Sequence, residues 1–176
     1  MGNANETKAI QTLNLLQHKI KKYNKNSTLL FLGDNLYPNG FPNKSDAKAY
    51  SDAETKLNNQ LSITKKFKGK TIFIAGNHDW DNGLEGLERE SKYITEFLKN
   101  KKAFLPQNSC GIQELQINET ITLIAIDSQW YLQDWDKFPT INDDCIIKTR
   151  EDFFIELERL LTLNKGKTVV LAMHHP

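Results

Sequence analysis

The strongest constraint on this chain is the way its short apolar runs end. Residues 29–32 (LLFL), 71–75 (TIFIA), 121–126 (ITLIAI) and 167–173 (KTVVLAM) read as strands, the first and last as buried on both faces. Residues 112–117 read as a further strand. The turn Asn118-Glu119 joins it to 121–126 as a hairpin. Between these runs lie helical segments. Residues 6–23 repeat Ile10, Leu13, Leu16 and Ile20 at three- and four-residue steps. Residues 46–67, 84–100 and 150–164 read likewise, with Asn82 and Glu85 as a capping pair and Thr149 to Asp152 as a helix start. Strands alternating with helices predict an α/β fold, with mixed β-sheets flanked by helices, in a single domain spanning 1–176.

In such sheets, ligands bind beyond the carboxyl ends of the strands. Here the strands run into Gly33-Asp34-Asn35-Leu36-Tyr37, Gly76-Asn77-His78-Asp79-Trp80-Asp81, Asp127-Ser128 and His174-His175. Glycine before Asp34 and before Asn77 permits a tight turn and close backbone approach. Carboxylate, amide oxygen, imidazole and phenol oxygen together suit Fe, Mn or Zn better than a thiolate metal. Each feature alone has a plainer reading as a turn, a cap or a half-buried aromatic. Ligand-type residues at separate strand ends argue for a shared ion. Trp80, Trp130 and Trp135 read as core or pocket-wall aromatics.

Lys plus Arg (23) nearly balance Asp plus Glu (22), which gives no electrostatic case for nucleic acid or a membrane surface. Arginine occurs only at Arg89, Arg150 and Arg159, so forked guanidinium recognition is scarce and any phosphate chemistry would need positive charge from elsewhere, for example from metal ions. No apolar run approaches bilayer length, and the start MGNANETKAI has no apolar core of a signal peptide. The compartment is left open, an extracytoplasmic parent included. Cys110 and Cys145 lie outside any CxxC spacing. They read as unpaired small hydrophobes, with one bridge as the alternative outside the cytoplasm. The aromatic, acidic stretch 129–146 reads equally as a lid near the strand ends or as a packed surface loop.

GDNLY, GNHDW and the terminal HHP, in that order, resemble the calcineurin-like metallophosphoesterase superfamily. The Asp34-to-Tyr37 spacing is similar to its purple acid phosphatase branch. The resemblance implies an αββα sandwich holding a dinuclear site of two divalent or mixed-valence ions (Fe, Mn or Zn). It implies Asp34 bridging the metals, Tyr37 on one, and Asn77 and His174 on the other. It implies His78 over the phosphate as a catalytic group, Asp79 orienting His78, and Asn35 and His175 as supporting residues. The implied reaction is hydrolysis of a small phosphate ester, a phosphomonoester first, by a metal-bridging hydroxide.

The family pattern also carries an Asp-bearing first strand and a late His-x-His motif. Their absence here predicts a fragment of a longer chain, with at most weak single-metal binding, impaired turnover and marginal stability or association. Two alternatives remain at this stage. One is a non-catalytic binding module with a decayed site; the other is a nucleotide phosphodiesterase or nuclease.

Overall fold

The computed structural model describes residues 2–176. It contains α1 (Thr7–Ile20), β1 (Thr28–Leu32), α2 (Ala47–Ser62) and β2 (Lys70–Ile74). Then follow α3 (Gly83–Leu98), β3 (Phe104–Leu105), β4 (Ile112–Gln116) and β5 (Ile121–Ile126). The last elements are α4 (Ser128–Leu132), α5 (Arg150–Leu163) and β6 (Thr168–Ala172). A 3-10 turn, His78–Trp80, lies between β2 and α3.

The strands form two three-stranded sheets. In the first, β2 is central and pairs in parallel with both β1 and β3. In the second, β5 is central, antiparallel to β4 and parallel to β6. The predicted hairpin and mixed sheet are present. Period-two alternation assigns each central strand to two cores. Ile72 and Ile74 of β2 meet Leu123 and Ala125 of β5, with Leu105 and Ala172, in a thin inter-sheet core. The opposite faces, Phe73 on β2 and Ile124 and Ile126 on β5, join Leu57, Leu61, Leu87, Ile94, Phe153 and Leu160 from the helices. Phe31 stacks on its register partner Phe73 at 4.1 Å between ring centroids. Each such fully buried side chain contributes roughly 1.5–3 kcal/mol. The result is the helix–sheet–sheet–helix sandwich expected from the sequence.

Four expectations need correction. β1 and β6 are not buried on both faces; they are edge strands, with Leu32 50% and Leu171 46% exposed, because each pairs on one side only. Asn82 does not cap α3 with its side chain. Its amide donates to the Asn39 carbonyl, and Glu85 pairs with Arg89 instead. The cysteines are not unpaired: Cys110 and Cys145 form a disulfide, their Cα atoms 5.5 Å apart. The stretch 129–146 is not all loop. It contributes to α4, buries Trp130, Ile141 and Cys145, and leaves Asp134, Asp136, Asp143 and Asp144 exposed, as a packed surface segment does. The capping box of Thr149 and Asp152 forms as read. Among the described residues, no helix is long and apolar enough to cross a membrane.

The disulfide closes a long loop, since its cysteines are 35 residues apart. Loop-closure entropy assigns such a link about 3–4 kcal/mol. Replacing both cysteines by serine is expected to lower urea stability by about that amount. An unchanged midpoint would show that the link adds nothing to the fold.

Candidate active site

The chain turns sharply where β1 ends. Gly33 has φ +85° and Asp34 φ +50°, two consecutive residues in the left-handed region. For Asp34 this backbone costs on the order of 1 kcal/mol, a strain that clusters at functional positions. The turn faces the β2 end at close range. A Cβ on Gly76 would collide with the Asp34 amide nitrogen and carboxylate, and one on Gly33 would reach His174 Nδ1 at 2.7 Å. Both glycines are therefore required by approach of neighbouring chain, as the sequence suggested for the two turns.

These contacts gather the strand ends. Asp34 Oδ1 accepts the His78 backbone N–H at 3.2 Å and lies 3.4 Å from His174 Nε2. His174 Nδ1 is 2.7 Å from the Leu32 carbonyl, which can only accept. The proton must then sit on Nδ1. Nε2 is left with a lone pair facing a carboxylate oxygen. Two acceptors in that arrangement call for a positive species between them: a proton or a metal ion. Neutral imidazole with its far nitrogen bound to a backbone carbonyl is also the state of a metal-ligating histidine. The donor chemistry and the glycine cradle therefore fit a cation.

Tyr37 is 41% exposed, and its ring lies edge-on to His78 at 4.4 Å. Asn77 follows Gly76 directly and is half-buried. Among the described residues, no three His, Cys, Asp or Glu side chains form a group able to hold a metal ion. Asp34 and His174 are a pair of that type, and any further ligands would come from other residue types, such as Asn77 and Tyr37.

His78 differs from expectation. Its Nδ1 is 2.6 Å from the Pro38 carbonyl and 3.1 Å from Asp81 Oδ2. Burial works against its charged form. The Pro38 and Asp81 contacts, with the nearby Asp34 charge, outweigh it and raise its pKa. Asp81, not Asp79, orients this ring. Asp79 is fully buried and accepts from the backbone N–H groups of Gly76 (2.7 Å), Leu36 (2.9 Å) and Asn35 (3.3 Å). Asn35 is buried beside it. It donates to Asp79 and to the Ile74 carbonyl, while its own carbonyl accepts from Gln60. His175 is exposed; its backbone N–H donates to Ser128 Oγ, and its ring lies 4.4 Å from that of His174.

The sequence reading placed Asp127 at a strand end without giving it a role, and it missed Glu90. Asp127 ends β5 fully buried. It accepts from Trp80 Nε1 and the Trp130 N–H, and burial raises its pKa to about 7. Glu90 of α3 is fully buried, and neither carboxyl oxygen has a hydrogen-bond partner. Burial first, and the adjacent Asp79 charge second, push its pKa well above the usual range. A signal for Glu90 was present: it sits on the apolar stripe, between Leu87 and Ile94. Burial also raises Asp79 to about 6, against the pull of its N–H donors.

A family model for calcineurin-like phosphoesterase matches residues 6–176. No curated protein and no solved structure matches the chain.

The raised acids set a pH dependence. Asp79, Glu90 and Asp127 bind protons more tightly folded than unfolded, so their contribution to stability is fully present below their unfolded values, about 4. It is lost as pH rises through the folded values of about 6 for Asp79 and about 7 for Asp127. Urea stability without metal is expected to fall between about pH 4 and pH 7. At pH 7, Asp79→Asn should cost about 2–4 kcal/mol, because an amide nitrogen is turned against N–H donors. Glu90→Gln should cost less than about 1 kcal/mol, because burial favours the uncharged carboxyl and an amide of the same shape replaces it. Equal losses would contradict this assignment of charge.

Proposed function

Because this chain belongs to the calcineurin-like phosphoesterase family, we propose that its converged strand ends hold a metal ion and hydrolyse a phosphomonoester there. The family provides phosphoester hydrolysis with divalent metals in general. The monoester preference and a second metal sharing Asp34 belong to this proposal. So does membership of the purple acid phosphatase-like branch, which rests on the Asp34-to-Tyr37 spacing.

The observation that carries the reading is that His174 Nε2 lies 3.4 Å from Asp34 Oδ1 while its Nδ1 meets the Leu32 carbonyl. Asp34 and His174 would hold the ion, with Asn77 and Tyr37 completing its shell. Bound there, a divalent cation supplies charge to the phosphoryl oxygens and makes water acidic enough to give a nucleophile near neutral pH.

The chain's own groups do the rest. Gly33 and Gly76 let the ends of β1 and β2 and the His174 ring close in beside Asp34. Pro38 and Asp81 fix the His78 ring through Nδ1. Its other nitrogen is left to donate a proton to the departing ester oxygen, so that an alcohol rather than an alkoxide leaves. The Tyr37 ring packs edge-on against His78 and limits its rotation. Asp79 ties the loop of Asp34 to the loop of Asn77, and so fixes the distance between those two ligands.

Manganese titration by calorimetry and hydrolysis assays test this. Asp34→Asn and His174→Ala are expected to weaken manganese binding tenfold or more and to abolish hydrolysis. His78→Ala should keep the metal affinity. It should lose roughly 10²–10⁴ in rate on phenyl phosphate. It should lose much less on p-nitrophenyl phosphate, whose leaving group needs no proton. Faster turnover of bis-p-nitrophenyl phosphate would favour the phosphodiesterase reading, and manganese binding without any hydrolysis a binding module. Unchanged affinity in both Asp34 and His174 variants would overturn the site.

A further inference from the structure

Beside His174 lies an apolar groove of about 300 Å³ at the carboxyl ends of β5 and β6. Tyr131, Leu132, Phe154, Leu157 and Met173 line it, with His175 at one side. We propose that this groove seats the organic part of the substrate, and that the substrate is an aryl phosphate. The inference rests on the phosphoesterase reading and specifies its substrate class.

Continuity with the site comes first. His175 and Ser128 both border the groove, and they are joined by the His175 N–H to Ser128 Oγ bond of 3.2 Å. The His175 ring lies 4.4 Å from the His174 ring, and His174 faces Asp34. A phosphoryl group held at Asp34 and His174 therefore has the groove as its neighbour.

The lining then selects the ligand. Among the described residues, the only polar side chains bordering the groove are Ser128, His175 and Tyr131, and Tyr131 presents a largely apolar ring. The hydroxyls of a sugar or nucleotide would lose water there with few partners in return. Three aromatic rings form one wall: Tyr131 packs edge-on to Phe154 at 5.6 Å, and Phe153 meets Tyr131 at 5.4 Å and Phe154 at 5.5 Å. Flat rings in tilted and edge-to-face arrangements favour another flat ring over a flexible chain. The wall is also held firm. Arg150 lies over the Tyr131 ring and donates to the carbonyls of Tyr131 and Gln133. Leu132 and Phe154 are 62% and 56% exposed, apolar surface that a bound ring would cover.

Calorimetry on the full chain with manganese, comparing methyl phosphate and 1-naphthyl phosphate, tests this. Both carry the same phosphate dianion. The naphthyl ester is expected to bind at least about tenfold more tightly. Leu132→Ser and Phe154→Ser alter exposed side chains, so the fold should persist. Each should cut that preference to about threefold or less. Equal binding of the two esters would overturn the aryl assignment and leave the phosphoesterase reading standing. A larger gain for octyl phosphate would overturn it in favour of a flexible chain, and an undiminished naphthyl preference in both variants would place the ring elsewhere. Binding of neither ester would sink the phosphoesterase reading and this inference with it.

Discussion

The carboxylate of Asp79 accepts from the backbone of both loops that carry the site. Its oxygens bond Gly76 at the end of β2 and Asn35 and Leu36 beyond β1. Backbone N–H groups at such turns have no strand partner, and burying them unpaired would cost several kcal/mol. One fully buried acid satisfies three of them and locks two chain segments together. The left-handed turn at Gly33 and Asp34 and the bare face of Gly76 depend on this lock. With the loops apart, Asp34 would not meet the His78 amide.

The acids behind the site extend the same logic. Asp79, Glu90 and Asp127 are all buried, and burial is the first cause of the raised pKa of each. The Asp34 charge adds to the rise at Asp79 and Glu90. Carboxyl groups are thus crowded where the sheets end, and a cation in front of Asp34 would offset the repulsion among those that ionise. At His78, burial works the other way, and the Pro38 carbonyl, Asp81 and the Asp34 charge outweigh it and raise the pKa. The nearly neutral, arginine-poor composition fits a chain in which a metal, rather than a cluster of guanidinium groups, meets the phosphate.

The central strands were legible because a strand covered on both faces is mostly apolar, as β2 is after Lys70 and Thr71 and β5 is apart from Thr122. The edges were not, since β1 and β6 carry equally apolar runs while one side stays open. β3 spans only Phe104–Leu105, too short to make a pattern. The meeting of Asp34, His78 and His174 was readable from polar residues at strand ends, but its wiring was not. The family resemblance implied that Asp79 orients His78, whereas Asp79 is turned inward onto backbone N–H groups and Asp81 lies on the ring. Asn82 lost its capping role to a distant carbonyl at Asn39. The Cys110–Cys145 link joins positions 35 residues apart, and no local spacing records it.

The central claim is that the ends of β1, β2 and β6 share one ion. Manganese is paramagnetic and broadens the NMR signals of nearby nuclei. Substoichiometric manganese added to the isotope-labelled chain is expected to erase, together, the amide signals of residues 33–37, 76–78 and 173–175. Signals on the far ends of the same strands should remain sharp. Broadening confined to one of the three segments, or spread over the exposed carboxylates of 134–144, would contradict a shared site.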